Sequence, residues 1–289
     1  MKNLLIKSVF SIAVLLSLPS IVWAASTVSL VVSPTEVMQG EPVIITIEGT
    51  NTLSSIKNIS FNGTPLKIFL YQNKPTALLG IDLRQTPGMY KITGKLSDGS
   101  ILEKILVVDR REKIELPLGI PEKLGGNTPT SQTTLISTLA TENAILASLR
   151  TGTHAFWREK FRFPLSATTT ITDRYGYFRQ TGAYTIAHKG TDFRAAEGTN
   201  VFAMNRGVVR LAREFRNYGK TIVVDHGLGL MTFYMHLSRI KVNVGELVLP
   251  GQLIALSGQT GYAEKPHLHL TVRIGGISID PIKFTDFFK

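Results

Sequence analysis

Short β-prone runs, closed by glycine or by Asn-Gly and Asp-Gly pairs, recur through most of this chain and give way only once to a stretch of helical spacing. Runs of this length without long helical periods between them assemble as antiparallel sheets, so the chain is expected to be mainly β. In the N-terminal part, Val43-Ile44-Ile45-Thr46-Ile47 is a strongly β-prone run. Tyr90, Ile92, Gly94 and Leu96 alternate with Lys91, Thr93 and Lys95, the period of a half-buried strand. Asp98-Gly99 supplies a hairpin turn into Ile101–Val108, and Asn62-Gly63 a second turn signal. About seven such runs at short spacing predict an immunoglobulin-like β-sandwich over residues 25–109. No histidine lies there, so a binding or spacing role is expected of it.

The texture changes after Asp109. Arg110-Arg111-Glu112-Lys113 is a charged exit, and Pro117, Pro121, Gly125 and Gly126 break the chain. Leu135, Leu139, Ile145, Leu146 and Leu149 then predict one amphipathic helix over residues 131–149, with Thr130 or Ser131 as N-cap. Residues 110–160 therefore read as a helical linker, and residues 161–289 as a second, β-rich unit punctuated by glycines. At the start, Lys2 and Lys7, the apolar run Val9–Leu18 and Val22-Trp23-Ala24 have the form of a signal peptide over residues 1–24. Export to the periplasm or the exterior is expected, with a membrane tether only if the signal is retained.

The absence of cysteine excludes disulfides, lipid attachment at a thiol and thiolate metal sites, leaving histidine and carboxylate as metal ligands. The formal charge of +11 falls to +9 when Lys2 and Lys7 are subtracted, which favours an anionic partner. For an exported chain with no nucleic-acid-binding motif, nucleic acid is not that partner; a polyanionic cell wall or a membrane surface fits better.

Five of the six histidines, His188, His226, His236, His267 and His269, fall within the second unit. His267 and His269 sit in a strand-like run, so both face one way while Leu268 and Leu270 face the other. His188 and Asp192 flank Gly190 in a segment that reads as looped or extended. These two and one imidazole of the His-x-His pair make two histidines and a carboxylate, a set that suits Zn²⁺ with a fourth position left to water. The spacing does not choose between His267 and His269. The other member of the pair and His236 remain for acid–base work near neutral pH. His226 is read as a structural histidine at a strand end, His154 as a surface or packing residue, and Tyr184 as a weak substrate-contact candidate.

His188-Lys189-Gly190-Thr191-Asp192-Phe193, Glu197-Gly198-Thr199, Asp225-His226-Gly227-Leu228-Gly229-Leu230, Tyr234-Met235-His236-Leu237-Ser238 and Pro266-His267-Leu268-His269 together resemble the lysostaphin/LytM-type zinc metallopeptidases, which cut peptide bridges of peptidoglycan. The likeness runs from about Phe163 to Pro281 with the segments in the family's order. It implies a two-sheet antiparallel fold with an open groove, zinc ligands His188, Asp192 and His269, and His236 and His267 beside the water. Two positions depart from the pattern: Asn200 stands where proline is common and Lys265 where glycine is usual. The second lies at the groove rim and bears on subsite preference. The function expected is that of an exported, monomeric zinc endopeptidase acting on peptidoglycan. The alternative is a non-catalytic envelope module that binds peptidoglycan or activates an amidase. A zinc-held structural domain is a third option. The linker helix or the sandwich, by adjacency, could cover the groove.

Overall fold

The computed structural model describes residues 27–166 and 169–287, so the expected signal over residues 1–24 lies outside the described residues. The N-terminal part is two sheets around one core. Strands Ser29–Ser33, Pro42–Glu48, Lys74–Gly80 and Ile68–Tyr71 form the first, and Glu36–Met38, Ile101–Asp109, Gly88–Leu96, Ile56–Phe61 and Thr64–Pro65 the second. The alternation read from the sequence is what closes them: Val43, Ile45 and Ile47 from one sheet and Ile59, Ile92 and Leu106 from the other are fully buried. Burying one such side chain is worth about 1.5–3 kcal/mol. The hairpin at Asp98-Gly99 and the turn at Asn62-Gly63 join strands as expected.

The C-terminal part is built on a long, mainly antiparallel sheet. Its strands run in the order Ile171–Asp173, Thr191–Arg194, His267–Ile274, Leu230–Ile240, Gly219–Gly227, Gly207–Phe215, Leu247–Val248. Period-2 alternation gives the sheet two different faces. Leu268, Leu270, Val272, Tyr234, Ile222 and Val224 fill the core on one side. His267, His269, Thr271 and Arg273 alternate with the first three and therefore lie on the other. A smaller sheet joins Phe178–Thr181 and Tyr184–Ala187 antiparallel, with Glu115–Pro117 alongside in parallel. The linker thus contributes a strand, which the sequence reading did not foresee.

The expected linker helix is present but starts earlier, at Pro129, and ends at Ala147. Its cap is Thr128, whose hydroxyl accepts from Ser131 N at 3.2 Å; neither Thr130 nor Ser131 is the cap. Pro129 explains the shift, because a residue with fixed φ and no N–H suits the first helical position. The buried face carries Ser131, Leu135, Glu142 and Leu146, so it is not purely apolar. This helix, α1, lies against the sheet face that carries His267 and His269: Leu146 packs with Phe215, Met231 and Phe233. Arg273, stacked on Phe233, donates from Nη1 to Leu146 O at 3.3 Å. The two halves are also joined. Phe69 of the sandwich enters the second core edge-on to Trp157, and Arg111, expected in a merely charged exit, pairs with Glu41 and Asp280 across the junction.

Candidate metal centre

Four imidazoles and one carboxylate meet at the edge of the main sheet. Thr191–Arg194 pairs antiparallel with His267–Ile274 so that Asp192 lies opposite His269. His188 arrives from the end of the Tyr184–Ala187 strand, its amide donating to Tyr177 O at 2.7 Å. Gly190 makes the approach possible, because a Cβ there would sit 2.3 Å from His269 Nε2 and 2.6 Å from Leu270 O. His188 Nε2 is 3.2 Å from Asp192 Oδ1 and 3.0 Å from His269 Nδ1, and His269 Nδ1 is 2.7 Å from Asp192 Oδ1.

Proton accounting decides which nitrogens are free. His188 Nδ1–H donates to Arg174 O at 2.9 Å, which turns Nε2 toward the cluster as the atom that could ligate an ion. Thr271 donates its only hydroxyl proton to Lys189 O, so it accepts from His269 Nε2–H at 3.0 Å and His269 Nδ1 is bare. Two ring nitrogens and a carboxylate oxygen therefore face one point. A tetrahedral zinc with bonds of about 2.0–2.1 Å separates its ligands by about 3.3–3.4 Å, close to the longer two of these separations. The residues fit a zinc ion, and His188, Asp192 and His269 are the three that could hold it. Burial depresses the His188 ring, but the charge and hydrogen bond of Asp192, with Asp173 and Arg174 O behind, carry it up to about 9. Burial raises Asp192, yet His188 and His269 together hold it well below the usual carboxylate range. The carboxylate of Asp173, gripped by Arg179, stands 3.3 Å behind His188 Nδ1.

His267 and His236 flank this triangle. His267 Nδ1–H donates to Lys265 O at 2.8 Å, so its Nε2 turns inward, 3.6 Å from Asp192 Oδ2. His236 Nδ1–H donates to Thr260 O at 2.9 Å, and the ring centroids of His236 and His267 are 4.8 Å apart. Burial, then His267 and His269, push the His236 ring well below its ordinary value. His236 lies inside Leu230–Ile240, at a break in register with Gly219–Gly227, with φ of 60°. A bulge of this kind re-aims a side chain, here toward the site.

The remaining candidates stand apart. His226 is fully buried, with Nδ1–H on Arg206 O and Nε2 2.9 Å from Thr232 Oγ1, and burial pulls it down to about 4. His154 is exposed and contacts Thr153 Oγ1. Tyr184 opens the strand that delivers His188. Sequence reasoning missed Thr271, Asp173 and the three carbonyls that fix the tautomers. Thr271 was within reach of it, being two residues from His269 on the same strand face.

Convergent imidazoles and a carboxylate on an antiparallel β scaffold form a group that could hold a metal ion. Residues 186–281, which contain all five of these side chains, match the peptidase family M23. The chain is 42% identical over 96 residues to the peptidoglycan DD-endopeptidase ShyA of Vibrio cholerae, which covers 33% of this chain and 22% of that protein. It is 41% identical over 96 residues to an uncharacterized metalloprotease of Haemophilus influenzae, covering 33% of this chain and 20% of the relative. The matched stretch thus spans about a fifth of the length of these relatives. Among solved structures, a putative M23 peptidase from Pseudomonas aeruginosa shares the fold over 86% of this chain and 94% of its own, with a TM-score of 0.62 and 23% identity.

Proposed function

We propose that this protein is an exported zinc endopeptidase that hydrolyses peptide cross-links of peptidoglycan. The observation that carries the proposal is the set of inward-facing atoms, His188 Nε2, His269 Nδ1 and Asp192 Oδ1, held on one point with the far nitrogens of the two rings fixed by Arg174 O and the Thr271 hydroxyl. The family of the matched domain and the ShyA relative supply the substrate class. His188, Asp192 and His269 would hold the zinc ion, which would supply Lewis-acid polarisation of a scissile carbonyl and a water whose pKa is lowered to about 7.

The side chains of this chain do the rest. His267 presents a bare Nε2 and acts as base toward the attacking water. The imidazolium it becomes lies beside the Asp192 carboxylate, at 3.6 Å, and that charge stabilises it. The same nitrogen then returns the proton to the leaving amine. His236 has its Nδ1–H committed to Thr260 O, so its Nε2 is an acceptor in the neutral ring and orients the water. Stabilising the oxyanion would require a proton on Nε2, and so a protonated ring. The formal charge of +11 suits a polyanionic wall.

Incubating the purified chain with cell-wall sacculi, with and without chelator, tests the proposal. New peptide ends released only in the absence of chelator support it, and mass spectrometry of the fragments identifies the bond cut. Sacculi bound but not cut, with zinc present, would favour the non-catalytic envelope module.

A further inference from the structure

We infer that Glu142, on helix α1, is a positioning residue for His236, and that the helix belongs to the catalytic unit although it lies outside the matched residues 186–281. The inference rests on the water-orienting role given to His236 above.

His236 is held in an unusual backbone state. Its φ of 60° is in the left-handed region, which a residue with a Cβ adopts at a cost of order 1–3 kcal/mol unless its surroundings impose it. Two carbonyls impose it here: His236 N donates to Tyr218 O at 3.0 Å, and its Nδ1–H donates to Thr260 O at 2.9 Å. Both carbonyls belong to one assembly. The turn at residues 216–219 and the loop around Thr260 are locked together, with Tyr262 N donating to Asn217 O at 2.6 Å and Lys220 N donating to Thr260 Oγ1 at 2.9 Å. Their backbones pass so closely that a Cβ on Gly261 would lie 2.3 Å from Gly219 N.

What fixes that assembly from behind is the helix. Glu142 is 5% exposed and spends both carboxylate oxygens on the turn, accepting from Asn217 N at 3.0 Å and from Tyr218 N at 3.3 Å. Thr138 and Asn143, on either side of it, accept from Asn217 Nδ2 at 2.7 Å and Tyr218 Oη at 2.9 Å. A carboxylate buried on the packed face of a helix is expensive unless it is hydrogen-bonded. Here it satisfies two backbone N–H groups of a turn whose next carbonyl, Tyr218 O, accepts from the His236 amide. The path is three links long: Glu142 to Tyr218 N, Tyr218 O to His236 N, and Thr260 O to the ring. The ligands His188, Asp192 and His269 are anchored on other elements, so the helix acts on one side of the site only.

The test uses the full chain as parent, Glu142→Gln, Glu142→Ala, and each combined with His236→Ala. Long-range nitrogen–proton NMR spectra of the histidine rings report tautomer and environment directly, without turnover. In Glu142→Ala the His236 ring is expected to lose its single Nδ1–H tautomer, with His188 and His269 signals and zinc stoichiometry unchanged. Turnover on sacculi should fall about 10- to 100-fold with little change in KM, the scale of a misplaced reacting group. Glu142→Gln, which keeps one acceptor oxygen, should fall between parent and Ala. Combined with His236→Ala, neither change should slow the enzyme further, since a residue acting through another has nothing left to act on. Unchanged His236 ring signals, parental turnover in a folded variant, or additive losses in the double variants would each overturn the inference. Should Glu142→Ala not fold, Glu142→Gln answers by the same measurements. A parent chain without turnover would sink the proposed function and leave the ring spectra to decide this point alone.

Discussion

Thr271→Val removes one hydroxyl from the edge of the site and leaves every ligand in place. Thr271 Oγ1 accepts from His269 Nε2–H and donates to Lys189 O, both at 3.0 Å, and the residue is 3% exposed. Valine fills the same space but leaves a buried N–H and a partly buried carbonyl without these partners. Each orphaned group costs about 1–3 kcal/mol, so the folded state should lose roughly 2–4 kcal/mol after partial relaxation. The larger consequence is for the metal. Without the hydroxyl, nothing selects the tautomer with Nδ1 bare, and His269 presents a proton to the ion part of the time. Losing a partner that orients a ligating histidine weakens binding about 10- to 100-fold, or about 1.4–2.8 kcal/mol. Zinc titration against a competing chromophoric chelator measures this, with Thr271→Ser as control. Serine should bind zinc nearly as the parent does. Parental affinity in Thr271→Val, or equal weakening in Thr271→Ser, would refute the reasoning, since the hydroxyl would then not be the determinant.

Asp192→Ala is expected to abolish stoichiometric zinc, while His267→Ala keeps zinc and loses turnover; equal zinc content in the Asp192 variant and the parent would reject the ligand assignment. His226 makes stability depend on pH. Burial brings its pKa to about 4 in the fold, while the unfolded chain keeps about 6.5, so the unfolded state binds the extra proton between these values. Its contribution is therefore complete above about pH 6.5 and is lost as pH falls to about 4, some 3 kcal/mol in all. Urea melts at pH 7 and pH 4.5 should show a steeper loss for the parent than for His226→Gln, and equal slopes would count against this reading. A chain beginning near Phe161 would lack helix α1 and expose Phe215, Met231 and Phe233. It should melt lower and turn over more slowly than the full chain, and higher activity would show instead that the removed segment restrains the groove. Leu146→Ala is the milder form, expected to cost about 2–5 kcal/mol in a urea melt.

The sheet positions were legible because side-chain alternation is local. Val43, Ile45 and Ile47, or Leu268 and Leu270, declare a buried face with no knowledge of the partner strand. The same alternation put His267 and His269 on one side, and the motif order brought in His188 and Asp192. Glu142 was not legible. A single acid among leucines at helical spacing looks like a solvated position, and only the docking of α1 against the turn at residues 216–219 shows that it is buried and satisfied. Arg111 was likewise read as part of a charged exit, because its partners Glu41 and Asp280 lie 70 and 169 residues away in sequence.

Residue type and period, then, fixed which atoms were available for chemistry: imidazoles and carboxylates but no thiolates, set on strands. Tertiary structure alone decided which nitrogen of each ring is free. That choice belongs to the carbonyls of Arg174, Thr260 and Lys265 and the hydroxyl of Thr271. A backbone carbonyl is identical at every residue, so no sequence pattern marks the few that face a histidine. Only the folded path of the chain brings them there.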